Sequence, residues 1–191
     1  MQVKIGMIVS AFFAVGMAAP LKREVKGCSP MYEGNLFISQ PFSGHMGLKQ
    51  SLKMDSDYGG KMLVADQDSN SHMEVVFSRC EGRGNSNDED TYTGVVSLKY
   101  EDDQCLMYSD KHSENGEEVL YVYPCSTSKK QLFTIHHREE YPSMVTIMRE
   151  NGKELPRATM FETSGEKDVV ALIGKGRRPG LALMIENIKS L

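Results

Sequence analysis

Four cysteines, Cys28, Cys80, Cys105 and Cys125, carry the most definite chemistry in this chain. An even number of thiols in a secreted chain reads as disulfides, and no CxxC pair is present to suggest zinc. Four cysteines allow three pairings, and spacing alone does not choose among them. Once they are paired, no thiol is left to act as a nucleophile. His136-His137 beside Glu139-Glu140 has the residue types of a metal cluster, but Arg138 follows His137, so no HExxH forms. Adjacent residues on a strand also point to opposite faces; the pair reads as a solvated strand end. Asp55-Ser56-Asp57-Tyr58-Gly59-Gly60, with Asp66 at the closing distance, begins like a calcium loop. It lacks the closing bidentate Glu on a helix and reads as a β-turn. Gly-x-Ser-x-Gly, the P-loop and Gly-x-Gly-x-x-Gly are missing, and the carboxylates are scattered through polar turns. The 13 methionines show no close thioether cluster and read as core filler. The expectation is a protein with no catalytic residues, no metal site and no cofactor.

The segments that position these residues begin after a leader. Lys4 precedes an apolar run, Ile5 to Met17, and Gly16-Met17-Ala18 supplies small residues for cleavage. Residues 1–18 therefore read as a secretory signal peptide, too short to span a bilayer. Residues 19–27 form an N-terminal segment in which Lys22-Arg23 is a candidate dibasic processing site, and residues 28–191 read as one domain. A mature chain of about 170 residues suits a single core. The net charge of −4 argues against nucleic acid, which requires a clustered basic face. No membrane association is expected after leader cleavage. No Asn-x-Ser/Thr sequon occurs.

Helical periodicity is scarce. Short alternating or β-branched runs recur instead, each bounded by Gly, Asn, Asp, Ser or Pro. Strands are expected at Gly34–Ser39, Met46–Leu52, Lys61–Ala65, Glu74–Ser78, Gly94–Tyr100, Cys105–Tyr108, Val119–Tyr123, Leu132–His136, Met144–Arg149, Arg157–Phe161, Asp168–Ile173 and Leu181–Glu186. An acidic, Gly- and Asn-rich stretch between Cys80 and Thr91 cannot bury apolar area and reads as a surface loop.

The segment from Cys105 to Phe133 has the most specific pattern. It runs Cys-Leu, a polar excursion with a turn signal at Asn115-Gly116, a returning strand, Cys125, and the triplet Gln131-Leu132-Phe133. This resembles one repeat of the ricin-B-type lectins, particularly the short secreted forms found in fungi. In them a closing Gln-x-Trp ends each repeat. The resemblance implies an all-β fold, a β-trefoil of three pseudo-repeats with two disulfides. Met62-Leu63-Val64 echoes Cys105-Leu106-Met107, and Val75 to Cys80 echoes Leu120 to Cys125. A third repeat, about Met144 to Glu186, matches only in strand rhythm. The middle repeat implies Cys105–Cys125, whose members flank one excursion, and that leaves Cys28–Cys80. Phe133 and Leu106 are expected in the core.

The resemblance also implies a sugar site with an Asp two residues after the first cysteine, an aromatic two before the second, and an Asn before the closing Gln. Here these positions hold Met107, Tyr123 and Lys130, with Gln131 kept. Methionine offers no strong acceptor and lysine donates only. A galactose site of the usual kind is not expected. Tyr123 and Gln131 are the candidate carbohydrate-binding residues of a non-standard site. The expected protein is a secreted, extracellular, non-enzymatic binding module whose partner is a glycan. The alternative is a trefoil scaffold for an extracellular protein ligand, as in a protease inhibitor or effector, with loops such as Glu81–Asp90 or Gly174–Gly180 carrying the contacts.

Overall fold

The computed structural model describes residues 25–39, 50–55, 61–66, 72–83, 90–101, 103–109, 118–126, 128–137, 142–148, 154–155, 158–162, 168–172 and 182–191. The expected leader, Lys22-Arg23, Asn115-Gly116 and the loop residues 84–89 and 174–180 lie outside them. Thirteen antiparallel strands make up the described fold: β1 (Cys28–Ser39), β2 (Gln50–Asp55), β3 (Lys61–Asp66), β4 (Met73–Cys80), β5 (Thr91–Leu98), β6 (Gln104–Ser109), β7 (Glu118–Pro124), β8 (Phe133–His136), β9 (Ser143–Met148), β10 (Glu154–Leu155), β11 (Ala158–Glu162), β12 (Asp168–Leu172) and β13 (Ala182–Ser190). One turn of 3-10 helix, Lys129–Gln131, precedes β8.

Each expected strand has a counterpart, with shifted ends. β1 starts at Cys28, six residues before the expected Gly34. The added stretch contains Pro30, and the pairing with β4 shifts register between Pro30 and Tyr32. A bulge of this kind accommodates a residue that cannot donate to the ladder. β2 is displaced towards Asp55.

Six strands close into a barrel in the order β1, β4, β5, β8, β9, β13 and back to β1. Closure leaves these strands without free edges. The two-residue period of a strand fills the interior. Leu36 and Ile38, Val75 and Phe77, Val96 and Leu98, Phe133 and Ile135, Leu183 and Ile185 all belong to one buried cluster. A fully buried side chain of this size contributes about 1.5–3 kcal/mol. Neighbouring backbones approach closely at two glycines. A Cβ on Gly94 would run into the Ser78 carbonyl, and one on Gly34 into the Glu186 carbonyl.

The remaining strands form antiparallel pairs, β2–β3, β6–β7 and β11–β12. These pairs are joined to one another through β3–β7, β3–β12 and β7–β12. Leu52, Leu63, Leu106, Tyr108, Leu120 and Val122 carry the barrel's cluster on into them. The short β10 pairs with β9.

The disulfides are Cys28–Cys80 and Cys105–Cys125. Cys28 and Cys80 face each other across β1 and β4, with Cα atoms 4.0 Å apart. Cys125 lies just beyond β7, its Cα 4.8 Å from that of Cys105 on β6. Both bridges pack with Val95 and Leu132 in one cluster outside the barrel.

The strand pairing corrects the expected sequence echo. Val75 to Cys80 lies in β4, a barrel strand, whereas Leu120 to Pro124 lies in β7, which pairs with β6, β3 and β12. Met62-Leu63-Val64 is in β3 and Cys105-Leu106-Met107 in β6, and these strands stand at different places in their pairs. Val75 to Cys80 and Leu120 to Cys125 are alike in being β-branched or aromatic runs that end in a cysteine, a composition common to strands of either kind.

Candidate functional site

The β6–β7 pair positions the expected sugar site. In its register Cys105 faces Tyr123 and Met107 faces Tyr121. Directly opposed residues share a face, so Met107 and Tyr123 are diagonal neighbours, with Cα atoms about 7–8 Å apart. The other face carries Leu106, Tyr108, Leu120 and Val122 into the core. The strand pair thus brings the two positions together, but methionine occupies the place where a carboxylate would anchor a hydroxyl. Tyr123 is 58% exposed. Its neighbour Tyr121 is buried, and that burial pushes its phenol above the ordinary value.

The turn beside Tyr123 is held by Gln131. The Gln131 Oε1 accepts from the Ser126 backbone N–H at 2.6 Å and from the Ser126 hydroxyl at 2.9 Å. Its Nε2 donates to the Pro124 carbonyl at 2.9 Å. The residue is 1% exposed. Three of the four hydrogen bonds a glutamine amide can make are thereby committed. The structure places Gln131 beneath Pro124 to Ser126, where it shapes the segment next to Tyr123 and does not project from it. Ser128 caps the single helical turn by accepting from the Lys130 N–H at 3.3 Å. The Tyr108 hydroxyl donates to the Lys129 carbonyl at 3.1 Å. Lys130, at the family's Asn position, is exposed. Across the strand pair, the Cys125 N–H donates to the Asp103 carbonyl at 2.9 Å, with Asp103 at φ 66°. Aspartate is among the few residues that tolerate this conformation.

Phe133 is fully buried at the start of β8, with its ring edge-to-face against Tyr108 at 6.2 Å. Leu106 is equally buried.

The histidine pair separates. The His136 Nδ1 lies 3.2 Å from the Thr91 hydroxyl. His137 stacks on Tyr32 at 4.5 Å, with its Nδ1 3.1 Å from the Ser143 hydroxyl. Both residues are half-buried at the end of β8, which is flanked by β5 and β9. The calcium-like loop also divides: Asp55 pairs with Met62, while Asp66 pairs with Ser51, four residues along β2 or about 13 Å away. Its residues 56–60 lie outside the described ones. Among the described residues no group of three or more His, Cys, Asp or Glu gathers to hold a metal. No described helix is long and apolar enough to cross a membrane.

Reading the sequence passed over one concave feature. Arg79, Glu81, Arg83 and Tyr92 line a cleft above the Cys28–Cys80 bridge. The signal was there in Arg79-Cys80-Glu81-Gly82-Arg83, where alternating charges flank a strand end at a cysteine. Neither the protein-family models nor the curated proteins include a match to this chain.

Proposed function

We propose that the chain is a secreted, non-enzymatic binding module built on a β-trefoil of the ricin-B-like type, and that it recognises carbohydrate through a non-standard site centred on Tyr123. The observation that carries the scaffold reading is the connectivity: a closed six-stranded barrel with three antiparallel strand pairs that pair with one another. In this reading β1 to β4, β5 to β8 and β9 to β13 are the three repeats, with β10 an addition to the third. Two disulfides accord with passage through an oxidising compartment. The fold alone does not confer sugar binding. Tyr123 supports it: an exposed ring, on a strand end held by a disulfide and a hydrogen-bonded turn, offers a stacking face.

Protein recognition is the second reading, favoured by a second exposed aromatic. Tyr100 is 76% exposed in the segment between β5 and β6, and tyrosines are common anchors of protein interfaces. A glycan array of the oxidised mature protein, run beside a pull-down from the secretion environment, separates the two. The first reading expects retention on a glycan and its loss in Tyr123→Ala. A blank array with partner capture would replace it with the second.

A further inference from the structure

The cleft at the β4–β5 end is the other feature with the makings of a ligand site. Its cavity is about 90 Å³, lined by Arg79, Glu81, Arg83, Thr91, Tyr92 and Thr93 over the Cys28–Cys80 bridge. Arg79 faces Gly94 across β4 and β5, so Tyr92 is its diagonal neighbour. The Arg79 guanidinium lies over the Tyr92 ring, 5.4 Å from its centroid. Tyr92 is supported in turn by Tyr32, edge-on at 6.1 Å. A guanidinium over an aromatic face is attracted to the ring and keeps N–H donors for a further partner. Arg83 projects from the exposed turn that follows β4. Among the described residues neither arginine has a carboxylate partner within ion-pair distance.

We propose that this cleft binds the carboxylate of a uronate residue in an acidic glycan. The volume is about that of three waters, enough for one oxyanion group with the rest of the ligand outside. A guanidinium can take a carboxylate bidentately, and the cleft is lined by two of them. Glu81 on the same wall accepts hydrogen bonds from hydroxyls and repels a second negative charge. The lining is therefore one positive charge in excess, suited to a monoanion carrying hydroxyls. The chain's net charge of −4 further disfavours densely charged polyanions such as nucleic acid. The inference rests on the reading of the chain as a binding module and is independent of Tyr123.

The test is calorimetric titration of the mature protein at low ionic strength with a uronic acid disaccharide, its methyl ester and inorganic sulfate. The disaccharide is expected to bind, with the ester and sulfate weaker by about tenfold or more. Arg79→Gln and Arg83→Gln should each lose about as much. The ester comparison uses unaltered protein and so does not depend on the variants folding. Absence of uronate binding overturns the proposal, as does equal affinity for ester or sulfate, or an undiminished affinity in both variants. Uronate binding with no neutral glycan retained would sink the Tyr123 site and leave this one standing. Neutral glycan binding without uronate binding would do the reverse.

Discussion

Gln131 shows how one side chain can be decisive without touching a ligand. Its amide joins the Pro124 carbonyl to the Ser126 N–H and hydroxyl from a buried position. Replacing it by alanine removes all three hydrogen bonds, and Gln131→Ala is expected to destabilise by about 1–3 kcal/mol in urea unfolding. Loss of any Tyr123-dependent binding should follow through the displaced turn. Thr134 is the opposite case. Its hydroxyl is fully buried in β8 and has no hydrogen-bond partner. Thr134→Val is expected to be neutral or to stabilise by up to about 1 kcal/mol, read as an unchanged or raised urea midpoint. The sequence marks the Gln-x-aromatic triplet as a unit, and the resemblance carried by that triplet implies Phe133 in the core. It does not reveal that Gln131 turns back to residues five and seven positions earlier, because that depends on a rotamer fixed by the finished turn. The Arg79–Tyr92 stack was hidden for a similar reason: it needs the cross-strand register that sets Arg79 opposite Gly94.

At the scale of elements, the barrel depends on how closely its strands approach. Gly94 sits where β5 crosses β4, and an added Cβ would meet the Ser78 carbonyl, a backbone atom that cannot swing aside. Gly94→Ala is expected to cost about 3 kcal/mol or more, measured as a drop in the denaturation midpoint with an unchanged slope. An ion cluster ties three strands at one place: the Lys99 Nζ lies 2.7 Å from the Glu74 carboxylate on β4 and 3.4 Å from that of Glu33 on β1, just past the end of β5. The hydrogen bond from Lys99, with a second from Tyr100, holds the Glu74 carboxyl below its ordinary value. A carboxyl lowered in the folded state stabilises above its unfolded pKa, and that contribution is lost as pH falls through the folded value. Lys99→Met is therefore expected to lower the urea midpoint at about pH 7, with the gap from the unaltered protein narrowing towards about pH 3. Short β-branched or alternating runs such as Val75 to Phe77 and Phe133 to Ile135 made the strands legible, since both patterns suit a pleated surface facing a core. Strand ends were less so: β1 was expected from Gly34 but starts at Cys28, and the bulge that accommodates Pro30 appears only in the pairing with β4.

For the whole molecule, the question is which covalent tie limits the unfolded chain most. Ring closure of β1 with both β4 and β13 is invisible to local pattern, because nothing in the alternation of a strand names its neighbour. The cysteines partly supply that information. Cys28 and Cys80 are 52 residues apart and lock β1 to β4, whereas Cys105 and Cys125 are 20 apart and span only the β6–β7 excursion. Loop-closure entropy in the unfolded chain makes the longer tie worth about 4 kcal/mol and the shorter about 3. Replacing Cys28 and Cys80 by serine should thus lower stability more than replacing Cys105 and Cys125, as read from urea midpoints of the two double variants. The reverse order would place the main effect of the second bridge in the folded state, through the cluster it shares with Val95 and Leu132. In that event the β6–β7 pair beside Tyr123 should loosen first on reduction, and hydrogen exchange would register it at Cys105 to Tyr108 before the barrel strands.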